Sequence, residues 1–199
     1  MSTPNIRESA DVARLTLEQL KLSNGANLLA FLDMIAWAEN GWELLGASND
    51  GYDLLVGAIF PNHVTRFTSY ADHPQKFIKI NDKLTSSAAG RYMILAKTWD
   101  GLEAAHHYGD FSPESQDRGC IELIRGRNAH GEVLGGNIMR AIALCNKEWA
   151  SFAGSPYGQR TRPIGAMLAV FNQSLEKYKK PDFSNVQSGT ATTAPVKED

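Results

Sequence analysis

Leu28, Phe31, Leu32, Ile35 and Ala36 recur at i, i+3 and i+4 spacing within LLAFLDMIAWAEN, the pattern of a helix sealed into a core. The segment is almost wholly apolar, so the fold must be built around it. It ends on one carboxylate, Glu39, directly after the run Met34 to Ala38 and two residues before Gly41. Burial disfavours a carboxylate's charged form, and the negative partial charge of a helix C-terminus acts in the same direction. Glu39 is therefore a candidate general acid. The plainer alternative is an acid that closes a core helix and points into solvent.

The flanking segments have different periods. Residues 1–26 form an N-terminal extension in which Val12, Leu15, Leu20 and Leu22 fall at imperfect helical spacing. At most one helix is expected there, either a packing helix or an adapter. Residues 52–80 hold LLVGAIF, VTRFTSY and FIKI, separated by Pro61-Asn62 and His73-Pro74. β-Branched and aromatic residues between turn signals predict a small antiparallel sheet. From Ser86 helical spacing returns, near 87–107, 113–128, 137–151 and 162–179, with Ser112-Pro113 in the form of an N-cap followed by proline at the first helical position. Residues 181–199, PDFSNVQSGTATTAPVKED, hold too few large apolar side chains to offset their ordering entropy and predict a disordered tail. Residues 27–180 thus predict one α+β domain, mainly helical, with a small antiparallel β-lobe and a cleft between the two.

Charge and cysteine usage narrow the function classes. The net formal charge is −2, without the basic footprint of a nucleic-acid partner. Residues 1–59 carry three bases and eight acids, −5, whereas residues 140–180 carry seven bases and two acids, +5. Such a basic surface can attract a polyanion at long range or simply be a solvated helix face. Cys120 and Cys145 are the only cysteines and read as free buried thiols, with one bridge between their helices as the alternative. No metal site is expected. His106 and His107 are adjacent and point about 100° apart on a helix, unlike an i, i+4 ligand pair. Zinc amidase or peptidase chemistry is disfavoured accordingly. The N-terminus has neither a basic start nor an apolar signal core, and Asp33 interrupts the longest apolar stretch well short of a membrane span. No secretory signal and no stable membrane insertion are expected.

Six segments, FLDMIAWAEN, GYDLLVG (51–57), DHP (72–74), AGRY (89–92), DFSPESQD (110–117) and WASFAGSPYGQ (149–159), resemble in order and spacing the lambda-type endolysins, lytic transglycosylases that cleave the glycan strands of peptidoglycan. The resemblance runs from about Leu28 to Lys179. It implies a lysozyme-like fold, a peptidoglycan substrate, and an enzyme that accumulates in the host cytoplasm until a holin opens the inner membrane; no cofactor is expected, and a monomer is the simplest expectation. It also implies cleavage by one acid. Glu39 protonates the leaving oxygen, then as carboxylate takes a proton from the muramic acid's own 6-hydroxyl, which closes to a 1,6-anhydro product. An intramolecular nucleophile of high effective molarity replaces the second carboxylate of ordinary glycosidases.

The remaining candidates are substrate contacts. Tyr52 and Tyr157 lie in Gly-rich loops, where an aromatic ring can offer a platform to a sugar's apolar face. Gln159 can hydrogen-bond an N-acetyl group or hydroxyl. Asp53 is either a polar contact or, facing Glu39, the second carboxylate of a hydrolytic muramidase. Ser86, Ser87 and Tyr92 are nearby contact candidates, and Arg91 is expected to brace the fold through an internal ion pair. In AGRYM the resemblance places a substrate-contacting Gln where this chain has Met93, and a thioether donates no hydrogen bond. A weakly active wall-binding module is the reading from another class.

Overall fold

The computed structural model describes residues 14–20, 22 and 24–179. Its elements are α1 (Leu17–Leu20), α2 (Gly25–Gly46), β1 (Ile78–Asn81), β2 (Leu84–Ser86), α3 (Ala96–His106), α4 (Pro113–Gly126), α5 (His130–Leu134), α6 (Ile138–Cys145) and α7 (Ile164–Lys179). Every residue from Leu28 to Ala36 is buried, Asp33 included. The central helix is therefore enclosed on all sides rather than along one stripe. Its chief partner is α7, whose buried residues Met167, Val170, Phe171 and Ser174 fall at i, i+3, i+4 and i+7.

Within α2 the helical path breaks at Gly41, where φ is 78° and ψ 159°. Only glycine adopts that conformation without a Cβ penalty. Glu39 thus lies in the last turn before the break, as the sequence predicts. The N-cap at α4 also forms, with the Ser112 hydroxyl accepting the Ser115 N–H at 3.3 Å.

The β-lobe is smaller and later in the chain than its apolar runs suggest. β1 and β2 form one antiparallel hairpin, pairing Ile78 with Ser86 and Asn81 with Leu84 across a bulge. LLVGAIF contributes only isolated bridges, Leu54 to Arg66 of VTRFTSY, Leu55 to Ala89 and Ile59 to His63. Gly57, at φ 83°, turns the first run away before a ladder can extend.

The helix expected near 87–107 begins only at Ala96. Residues 89–94 instead close a tight loop in which Ala89 and Ile94 exchange both backbone hydrogen bonds, 3.0 and 2.9 Å. Gly90 sits in this loop at φ 75°, with the Gln116 amide oxygen 2.2 Å from where a Cβ would lie. Packing against α4 overrides the local helical pattern. Likewise α6 is shorter than the 137–151 expectation, and turns carry the chain through residues 146–154.

Arg91 does brace the fold. It pairs with Asp33 at 2.8 Å and with Asp50 at 2.6 Å. Arg14 reaches the same Asp33 at 3.0 Å, and Tyr178 donates to it at 2.9 Å. Burial opposes ionisation of Asp33, but the two guanidinium groups outweigh it and hold the carboxyl at about 2. A second buried acid, Asp117, accepts the Leu15 N–H at 3.0 Å and the hydroxyls of Tyr52 and Tyr92. Arg14 and Leu15, assigned by sequence to an extension, are therefore tied into the core. Residues 1–13 and the predicted tail at 181–199 lie outside the described residues.

Candidate active site

Two elements converge on Glu39. The first is the end of α2; the second is the loop 149–163 that leads into α7. The loop is anchored by Trp149, whose indole N–H donates to the Tyr92 carbonyl at 3.1 Å, and by Phe152, which is fully buried edge-on against Phe31. Between these elements lies a concavity of about 360 Å³ lined by Ala38, Glu39, Ala150, Ser151, Gln159, Arg160 and Arg162.

Glu39 is partly buried in this concavity. The Ser151 hydroxyl donates to its Oε1 at 2.5 Å. Burial drives its carboxyl from the ordinary 4.5 up to about 7, against the opposing pull of hydrogen bonds from Ser151 and the charge of Arg162. A group with that proton affinity gives up and recovers a proton near neutral pH, the property general acid-base work requires.

Of the other residues picked out by sequence, Gln159 joins Glu39 in the concavity. Tyr157 is 55% exposed in the same loop, with its hydroxyl donating to the Lys147 carbonyl at 2.8 Å. Its ring is free to meet a ligand, although it does not line the concavity. Tyr52 and Tyr92 do not fit the contact role expected of them. Both are fully buried, packed edge-to-face at 6.4 Å with their hydroxyls on Asp117. Neither ring can reach a sugar.

Ser86 ends β2, where its hydroxyl accepts the Ala88 N–H at 3.2 Å, and Ser87 accepts the Ala96 N–H at 3.1 Å. Both serve local turns. Met93 is partly buried at φ 49° and does not line Glu39's concavity.

Asp53 is buried in a separate concavity of about 660 Å³ with Ser48, Asn49, Arg66, Phe67, Thr68 and Tyr70. Arg66 binds it at 2.5 Å, and the Asn49 N–H donates to it at 3.0 Å. Both of its oxygens are thus engaged, and Asp53 does not line Glu39's concavity.

Sequence reasoning missed Ser151, Arg160 and Arg162 as site residues. Ser151 lies inside WASFAGSPYGQ, but a serine in a loop carries no local mark of the acid it contacts. Among the described residues, no group of three or more His, Cys, Asp or Glu side chains is placed to hold a metal ion. No described helix is long and apolar enough to cross a membrane. Cys120 and Cys145 are both buried and free.

Comparison with known proteins identifies the family. The family model Endolysin matches residues 29–177. The chain is 39% identical over 148 residues to the endolysin of Escherichia phage lambda, covering 73% of this chain and 89% of that one. It is 38% identical over 152 residues to the endolysin of Escherichia phage P2, covering 73% and 90%. Among solved structures, bacteriophage lambda lysozyme complexed with a chitohexasaccharide is similar with a TM-score of 0.68 at 38% identity, over 75% of this chain and 94% of that one. A further structure of lysozyme from bacteriophage lambda gives 0.60 at 35% identity, over 77% and 92%. Every residue lining Glu39's concavity falls within the matched region, the fold is the lysozyme-like α+β fold, and the chain belongs to the Endolysin family.

Proposed function

We propose that this protein is a phage or prophage endolysin that cleaves the β-1,4 linkage between MurNAc and GlcNAc in peptidoglycan by intramolecular transglycosylation. Glu39 protonates the glycosidic oxygen as the C1–O bond breaks and positive charge develops at C1. The resulting carboxylate then accepts the proton of the same muramic acid's 6-hydroxyl while O6 bonds to C1. The product is a 1,6-anhydro end, and no water is consumed. Gln159 would hydrogen-bond the sugar beside Glu39, and the exposed ring of Tyr157 would support a neighbouring one.

The observation that carries this reading is that, among the described residues, Glu39 is the only carboxylate lining its concavity, while Asp53 is engaged by Arg66 elsewhere. A proton affinity near neutrality suits one group acting first as acid and then as base. That a related lambda lysozyme was solved with a chitohexasaccharide supports a glycan as the ligand. The reading carries with it a monomer needing no cofactor, held in the host cytoplasm until a holin opens the inner membrane.

The competing hydrolytic scheme requires Asp53 as nucleophile or base. Asp53→Asn is therefore expected to clear a suspension of purified sacculi within about tenfold of the unmodified rate, whereas losing a catalytic carboxylate costs ~10²–10⁴-fold. A loss of that larger size in a correctly folded Asp53→Asn protein would move the reaction to the two-carboxylate scheme.

A further inference from the structure

Arg162 closes a ring of contacts around Glu39. Its Nε donates to the Ala38 carbonyl at 2.9 Å and its Nη2 to the Trp37 carbonyl at 3.4 Å, the carbonyls immediately before Glu39. Its guanidinium carbon stands 4.9 Å from the centre of the Trp37 ring. Its main-chain N–H donates to the Ser151 carbonyl at 2.7 Å, and the Ser151 hydroxyl returns to Glu39 at 2.5 Å. From Glu39 through Ser151, Arg162 and Ala38 back to Glu39, the circuit is three hydrogen bonds and one peptide bond.

This circuit forms where α2 most needs it. The helix breaks at Gly41, so the carbonyls of the preceding turn lie at a helix end, where a cation satisfies both their hydrogen-bonding capacity and the negative end of the dipole. Arg162 Nη2 lies 3.5 Å from where a Cβ at Gly41 would stand, and Glu43 Oε2 lies 3.4 Å from the same point. The charged groups around Glu39 are thus Arg162, Arg160 across the concavity, and Glu43 beyond the break. Of these, Arg162 is the one joined to the helix end by hydrogen bonds.

We propose that Arg162 is the positioning residue of the reaction: it locks the helix end and the Ser151 loop into one body, and so fixes both the direction and the ionisation of the Glu39 carboxyl. The inference rests on Glu39 being the proton donor. A planar fork that donates to two carbonyls while stacking on an indole cannot be reproduced by an ammonium. Arginine is therefore the required residue, not merely a positive one. Its charge opposes the burial that raises Glu39's proton affinity.

The test is the pH–rate profile for clearing purified sacculi by Arg162→Gln and Arg162→Lys, with thermal melts to establish that both fold. Arg162→Gln is expected to lose about 10–100-fold in kcat, the scale of a small misplacement of a catalytic group. Its alkaline limb, where Glu39 loses the proton it must donate, should move to higher pH, the direction that removal of an opposite charge gives. Arg162→Lys should return the limb close to its original pH while recovering only part of kcat. A lower melting temperature with an unmoved alkaline limb would reduce Arg162 to a structural brace and overturn the proposal, as would full recovery of kcat by lysine. The limb reports Glu39's proton whether products are anhydro or reducing, so failure here is distinguishable from failure of the transglycosylase reading.

Discussion

Glu39→Gln is expected to abolish clearing of peptidoglycan, by ~10³-fold or more, and at the same time to make the protein more stable at neutral pH. The loss follows from removing the one carboxyl that lines the concavity among the described residues, since amides neither donate nor recover a proton at these pH values. The gain follows from linkage. Glu39 binds its proton more tightly in the native state, at about 7, than at its ordinary 4.5. The native protein therefore holds more protons than the unfolded chain between those values, and stability falls as pH rises across that window. Above pH 7 the carboxylate costs about 3 kcal/mol, from 1.36 kcal/mol per unit. Glutamine removes this cost without changing the side-chain shape. Melts at pH 8 should show a rise of roughly 5–10 °C for a chain of this size, shrinking toward zero near pH 4.5. An inactive variant that melts at the same temperature at both pH values would mean that burial does not perturb Glu39. The proposed catalytic acid is thus expected to be a stability liability.

Asp117→Ala should produce the largest structural loss. Asp117 is fully buried and accepts two tyrosine hydroxyls and one backbone N–H, with Arg14 Nε at 3.8 Å. Alanine would strand the phenols of Tyr52 and Tyr92 and the N–H of Leu15 away from water and leave Arg14 with one fewer anion. Breaking a buried network from one side costs about 3–5 kcal/mol, a large part of the 5–15 kcal/mol that typically holds a domain together. A denaturant titration is expected to show the midpoint fall accordingly, with Asp117→Asn intermediate because one oxygen acceptor remains. The loss would also reach the site, because Tyr92 supplies the carbonyl that anchors Trp149 and its loop. A midpoint for Asp117→Ala within about 0.5 kcal/mol of the unmodified protein would contradict this role.

What could be read in the sequence, and what could not, divides by the range of the interaction. The enclosed helix, its end at Gly41 and the lone acid before it were legible because period and composition within a dozen residues specify them. The Ser112-Pro113 start of α4 was legible for the same reason. Tyr52 and Tyr92 were not. A tyrosine in a Gly-rich loop has the same local pattern whether its ring faces a sugar or the core, and here an acceptor 65 and 25 residues away draws it inward. Ser151 and Arg162 meet the helix end from 112 and 124 residues away, beyond any local signal. The helix expected from residue 87 failed because Gly90 must pass close to Gln116, a constraint from α4 rather than from its own neighbours.

Mass spectrometry of the muropeptides released from purified peptidoglycan tests the central claim most directly. Transglycosylation by Glu39 alone predicts glycan ends one water lighter than ordinary reducing ends, with no incorporation of oxygen when the reaction is run in ¹⁸O-labelled water. Reducing ends carrying the label would show that water is the nucleophile and would contradict the single-acid mechanism.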